Sequence, residues 1–392
     1  LYKTEDGAQN FKGKRASVPH RVIQIIGAGE YGGAEVYVRQ MMIGARESGV
    51  ATEALVFYDR VFAARLREDG FVVDVEPSLT RVFWRLRERI EAGERLIIHT
   101  HGVKASLLGR AVGERTGTPV VTTIHSDLVL DYQGGKGALF RALERMTRGM
   151  SARIVAVSEP LAEILRERGY DPARIRVIAP GVAVGALEKE ADETTGQVES
   201  LRERLGIPKD AWVVVCVARL HAVKDHETLI RAVSGLAEVR GRSVALLLVG
   251  DGEERKRLEE LSATHAPGRV YFAGAVEQVR PYLELADVFA LASRMEGFGL
   301  AAAEAMAAGL PVIVSDVGGL CQVAPVSGVQ GIRVAPGDVD GFFAALKSLL
   351  EDDALREHMA KEGQTYAMTE LSTERMRAQL AQLYEEIARH EQ

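Results

Sequence analysis

Residues 293–319 read SRMEGFGLAAAEAMAAGLPVIVSDVGG, and the changes of texture within this run decide the fold. A loop carrying Gly297 and Gly299 opens into an alanine-rich stretch of helical length, Gly309 and Pro311 punctuate its end, and VIVS follows as a short apolar run. Another apolar run, VFAL at 288–291, precedes the loop. Neither run alternates polar with apolar residues, which is how a strand reads when both of its faces are covered. The stretch is therefore a strand, a loop, a helix and a second strand of a parallel sheet.

The same alternation extends outward. Strands are expected at 212–217, 243–249, 270–272, 288–291, 311–315 and 331–334, and an earlier series at 21–26, 52–57, 71–75, 96–100, 119–123, 153–157 and 175–178. Two series imply an α/β protein of two doubly wound, Rossmann-like domains, 21–184 and 208–369, with ligands in a shared cleft at the strand ends. Residues 181–195 (GVAVGALEKEADETT) mix glycines with an acidic run, so 185–207 is expected to be a linker. Residues 1–20 are polar, without the apolar core of a secretion signal, and are expected to form a flexible lead. In 370–392, Met376, Leu380, Leu383 and Ile387 recur at helical spacing, as in a helix that packs back on the first domain.

Composition narrows the function. With 392 residues, 47% of them hydrophobic, the chain can bury two cores, which excludes a disordered or fibrous protein. A net charge of −6 provides no basic field for a nucleic-acid partner. The charge is uneven, +5 over residues 1–184 and −11 over the remainder, so the first half suits anions better. Two cysteines, Cys216 and Cys321, build neither a disulfide framework nor a thiolate metal cluster and fit a reducing, cytoplasmic location. No apolar run approaches the roughly 20 residues of a bilayer span.

Four motifs carry chemistry. In GAGEYGGAEVYVRQ (27–40), glycines that include Gly32 and Gly33 sit between a strand and a helix, where backbone N–H groups meet an anion. Gly27, Gly29 and Gly32 also have the dinucleotide spacing, but the acidic residue that should follow, Glu47 or Glu53, does not sit clearly at a strand end. A tight turn without ligand is the plain alternative. In VARLHAVKDHETLIRA (217–232), Arg219 and Lys224 share one strand-exit loop and can converge on a diphosphate. In the opening stretch, Glu296 falls in the loop and Glu304 in the helix, with the free amides of Phe298, Gly299 and Leu300 between them. Finally, His99 and His101 alternate on a strand and share a face. Metal binding is conceivable there, but with no third ligand nearby a hydrogen-bonded structural role is favoured.

Residues 293–319 resemble the E-x7-E signature of the retaining glycosyltransferases of family 4, which have the GT-B fold. VARLHAVKDHETLIRA resembles that family's G-R-L-x-x-x-K-G motif, LLLVGDGEER its V-G-x-G strand exit and GLPVIVSDVGG its A-x-G-x-P-V-I-x-x-x-x-G-G run. In the first half GGAEVYVRQM, IIHTHG and TTIHSD are similar to the glycine pair, the strand leading to the cleft and the active-site histidine segment. Ala218 and Asp225 depart from common glycines, and Pro180 stands where asparagine is usual.

The resemblance implies that Arg219 and Lys224 hold a nucleotide diphosphate, helped by amides near Gly33 and Gly299, while Glu304 binds the ribose and Glu296 and His125 contact the donor sugar. Val276 lies where the base meets backbone. It also implies a donor that is a nucleotide-diphosphate sugar, with uridine the expected base, and no cofactor or catalytic metal. The acceptor is expected to be a glycan or a lipid-linked molecule, met in the first domain. A sugar-nucleotide epimerase or hydrolase, and a non-catalytic nucleotide-sugar-binding protein, are the alternatives. TRVFWRLRERI (80–90) sets arginines beside an apolar stripe, which could rest on anionic membrane or simply pack on its own sheet.

Overall fold

The computed structural model describes residues 21–27, 32–127, 134–182 and 194–390; the expected lead at 1–20 and the acidic part of the expected linker lie outside them. Strands β1 (Arg21–Ile26), β2 (Thr52–Val56), β3 (Val73–Val75), β4 (Leu96–His101), β5 (Val120–Ile124), β6 (Arg153–Ala156) and β7 (Ile175–Val177) form one sheet, in the order β3-β2-β1-β4-β5-β6-β7. A second sheet runs β11-β10-β8-β12-β13-β14, from β8 (Trp212–Val217), β9 (Glu238–Val239), β10 (Arg242–Val249), β11 (Val270–Gly274), β12 (Val288–Leu291), β13 (Val312–Ser315) and β14 (Ile332–Val334). All pairings are parallel except that of the short β9 with β10. The central strands are apolar because helices cover both faces: every residue of WVVVC in β8 is buried.

Strand order fixes where ligands can sit. It reverses between β1 and β4 in the first sheet and between β8 and β12 in the second, and a crevice opens at such a point because the loops on either side leave in opposite directions. The described residues that directly follow β4, β5, β8, β10, β12 and β13 leave the sheets at these strand ends.

One expectation needs correction. The second half of the expected linker is a helix, Thr194–Leu205, because Val198, Leu201 and Leu205 recur on one face and pack into the core, Leu201 at 4% exposure. The C-terminal helix begins at Thr373, after a separate helix Asp353–Glu370, since Leu371 and Ser372 turn away to pair with Val182. Val182 donates to the Leu371 carbonyl at 2.7 Å and accepts from Thr373 at 3.1 Å. This close crossing needs Gly181, whose Cβ would lie 2.4 Å from Thr373 Cα. Helix Thr373–His390 then lies on helix Gly33–Glu47 with Met376, Leu380, Leu383, Tyr384 and Ile387 buried, each such side chain contributing about 1.5–3 kcal/mol.

The arginine-rich helix Leu79–Glu91 buries Val82 and Leu86 against the first sheet. Its arginines are ion-paired, Arg81 with Glu76, Arg85 with Asp74, Arg87 with Glu91 and Arg89 with Glu53 and Glu94, while Trp84 stays half-exposed. Among the described residues, no helix is long and apolar enough to cross a membrane.

Candidate active site

The second sheet brings its motifs together through loops that only glycines allow. The loop after β12 rests on the loop after β13: Gly319 N–H donates to the Glu296 carbonyl at 2.9 Å, and a Cβ on Gly318 would lie 2.2 Å from that same oxygen. Gly318 is at φ +46 and Gly299 at φ +98, conformations that an L side chain resists. The loop after β8 is braced likewise by the loop after β10, where a Cβ on Gly250 would lie 2.0 Å from the Ala218 carbonyl and one on Gly252 2.4 Å from that of Leu220.

Lys224 ends a short 3-10 turn, Ala222–Lys224, on the β8 side of the reversal, and Glu296 follows β12 on the other side. Their side chains meet across it in an ion pair, and Ser293 Oγ donates to Glu296 Oε2 at 3.2 Å. The turn holds although Asp225 stands at a glycine position, with φ +47. Aspartate tolerates the left-handed region, and here its carboxylate accepts from Thr228 Oγ1 at 3.0 Å and pairs with Arg294 at 2.9 Å. Arg219 is exposed at the start of the same loop.

Glu304 lies on the first turns of helix Leu300–Ala307, which Gly299 heads without a side-chain cap. Among the described residues its carboxylate has neither cation nor hydrogen-bond donor, and burial pushes its pKa up to about 7. Phe298 is buried at 4% exposure and shapes the loop through packing. Val276, after β11, is half-buried against the core.

The first sheet contributes His125, immediately after β5. It meets the second sheet directly, because a Cβ on Gly297 would lie 1.9 Å from the His125 carbonyl oxygen. Ser158 Oγ donates to the Gly297 carbonyl at 2.7 Å and Glu159 N–H to Gln322 Oε1 at 2.8 Å, fastening the two lobes beside Glu296. Burial lowers the His125 pKa to about 4, so the imidazole is neutral near pH 7.

His125 also borders a first-lobe cavity of about 390 Å³, whose walls include Ile26, Phe57, His101, Lys104 and Glu144. Glu144 is held there by a bidentate pair with the fully buried Arg110, at 2.6 and 2.9 Å, and by Tyr170 at 2.8 Å. Gly32 heads helix Gly33–Glu47, but its N–H already donates to Glu35 Oε2 at 3.0 Å, so a carboxylate stands where a phosphate was expected; Gly33 has open space at its Cβ. All four ring nitrogens of His99 and His101 are hydrogen-bonded inside the protein, which leaves none for a metal. Their partners Gln24 and Tyr384 were missed in the sequence, since nothing local links positions so far apart.

Comparisons with known proteins bear on the family and the fold. The model of the group 1 glycosyl transferases matches residues 197–366, and that of glycosyltransferase family 4 matches residues 31–185. A D-inositol 3-phosphate glycosyltransferase of Rhodococcus opacus is 30% identical over 376 residues, 87% of this chain and 83% of that protein. A D-inositol 3-phosphate glycosyltransferase 1 of Catenulispora acidiphila is 28% identical over 390 residues, 87% of this chain and 90% of that protein. Among solved structures, Anabaena HepE in complex with UDP-glucose superposes with a TM-score of 0.83 at 21% identity, over 93% of this chain and 99% of that one.

Proposed function

The chain belongs to glycosyltransferase family 4, with the GT-B fold, and we propose that this glycosyltransferase moves the sugar of a UDP-sugar to an acceptor hydroxyl with retention of the anomeric configuration. The observation that carries the proposal is the meeting of Lys224 and Glu296 across the strand-order reversal, with the next residue, Gly297, seated on His125 of the other lobe. Cation, acid and imidazole are the groups that a diphosphate, a sugar and a departing phosphate oxygen would need. The HepE complex with UDP-glucose supports uridine as the base.

Breaking a glycosyl–phosphate bond develops negative charge on the diphosphate and positive charge on the sugar carbon. Lys224 and Arg219, with the amides at Gly299 and Leu300, stabilise the first. When the donor enters, its phosphate competes with Glu296 for Lys224 and frees the Glu296 carboxylate for the sugar. Glu304 accepts from the ribose hydroxyls. The departing phosphate takes the acceptor proton, and closure of the lobes over Gly297 excludes water. The acceptor, a glycan or lipid-linked hydroxyl compound, enters by the first-lobe cavity beside Lys104.

The test is an incubation with UDP-glucose, with and without candidate hydroxyl acceptors, followed by proton NMR of the anomeric signal. The expected product keeps the α configuration of the donor. A β product would overturn retention, and donor loss indifferent to acceptor would point to an epimerase or hydrolase.

A further inference from the structure

A chain of buried polar groups leaves His125 and runs beneath the first sheet. His125 Nε2 is 3.1 Å from His101 Nδ1, and His101 Nε2 is 2.8 Å from Gln24 Oε1. The Gln24 amide donates to the Tyr384 hydroxyl at 3.1 Å, that oxygen lies 2.8 Å from His99 Nδ1, and His99 Nε2 is 2.7 Å from Thr123 Oγ1. Strand register explains the assembly: Gln24 pairs with His99 and His101 with Thr123, so all four project from one face, the face that Tyr384 reaches from the C-terminal helix. None of Gln24, His99, His101, Thr123 and Tyr384 is more than 2% exposed, so each polar atom must find its partner within the chain.

The structure turns the Gln24 carbonyl toward His101 and its amide toward Tyr384, and this orientation sets the direction of every proton. Its carbonyl only accepts, so His101 carries its hydrogen on Nε2 and offers a bare Nδ1; His125 must then donate from Nε2. On the other side the Gln24 amide occupies the Tyr384 oxygen, Tyr384 donates to His99 Nδ1, and His99 donates to Thr123. All five hydrogen bonds therefore point away from the cleft and reinforce one another. Turning the Gln24 amide over would reverse the whole series and put the His125 hydrogen on Nδ1. Tyr384 supplies the acceptor that holds the Gln24 amide in this orientation, and without its hydroxyl neither orientation keeps a partner on that side.

We infer that Gln24 and Tyr384 are positioning residues that fix His125 as the Nε2–H tautomer, so that its Nδ1 presents a lone pair, rather than an N–H, to a hydroxyl of the bound sugar. This rests on the glycosyl-transfer reading for its use, although not for its geometry. Nδ1 has no partner among the described residues, and His125 borders the cavity. Burial keeps His125 (about 4) and His99 (about 3) neutral near pH 7, so the tautomers are fully populated there.

Long-range proton–nitrogen correlation spectra of the ligand-free protein at pH 7.5 test the inference. The wild type is expected to show His125 protonated on Nε2 alone, and Tyr384→Phe and Gln24→Met to show both tautomers. In the same variants kcat for sugar transfer should fall about tenfold, the worth of one well-placed hydrogen bond, with a smaller change in the donor KM. A wild-type His125 protonated on Nδ1, a His125 spectrum indifferent to both substitutions, or mixed tautomers with unchanged kcat would each overturn it. If Tyr384→Phe folds poorly, the wild type and Gln24→Met still decide. The spectra need neither donor nor acceptor, so failure to find any transfer would count against the proposed function alone.

Discussion

Glu304 gives the sharpest handle on the site. Its carboxylate has a pKa raised by burial from 4.5 to about 7, and it is proposed to accept hydrogens from the ribose, which only the ionised form can do from both oxygens. Donor affinity should therefore follow the ionised fraction: about one half at pH 7 and roughly one in eleven at pH 6, which weakens binding about fivefold over that unit. Between pH 7 and pH 8 the gain is just under twofold. The sign is fixed, because the donor engages the charged form and lowering the pH removes it. UDP-glucose is the right probe, since its diphosphate is esterified at both ends and lacks the second phosphate ionisation near pH 6 that free UDP would add. Titration calorimetry from pH 6 to pH 8 reads the effect directly. In Glu304→Gln the profile should flatten and affinity at pH 8 should drop about tenfold, as expected for losing a hydrogen bond to a charged group. The same pH slope in Glu304→Gln would refute the reasoning.

Three further outcomes follow from the geometry. Lys224→Ala should lower kcat about 100- to 1000-fold, the usual loss for a charge-stabilising donor, with the melting temperature little changed; near-normal turnover would remove Lys224 from the site. Gly297→Ala sets a methyl group 1.9 Å from the His125 carbonyl oxygen, so the lobes cannot approach as described, and turnover should collapse while both sheets stay folded by circular dichroism. Arg110→Met strands the Glu144 carboxylate in a buried pocket, where losing one partner costs about 3–5 kcal/mol, and should lower the melting temperature by roughly 10 °C. A shift within error would mean that water reaches Glu144.

Much of the fold was legible because covered parallel strands leave a strong trace. The runs at 21–26, 212–217 and 288–291 coincide with β1, β8 and β12, and the other expected strands overlap their counterparts to within about two residues at either end. The glycines at 318 and 319 were legible as a motif, but the physical need for them, the seating of one loop on another beneath Glu296, required the structure. The helix at Thr194–Leu205 was obscured because the acidic run beside it dominates the composition. The partners of His125 could not have been read at all. Tyr384 looks like any amphipathic-helix residue, and the position it serves, Gln24, is 360 residues away.

That separation bears on how the protein is made. Helix Gly33–Glu47 is synthesised before nearly all the other described elements, and the helix that covers it, Thr373–His390, after all of them. Until helix Thr373–His390 has left the ribosome, the flank of the first sheet awaiting Tyr384 must stand open, with Gln24 and His99 hydrated and their neighbouring apolar side chains unprotected. The first sheet is thus the later one to mature, and a product cut before Thr373 would hold two recognisable sheets around a His125 whose buried partners are incomplete.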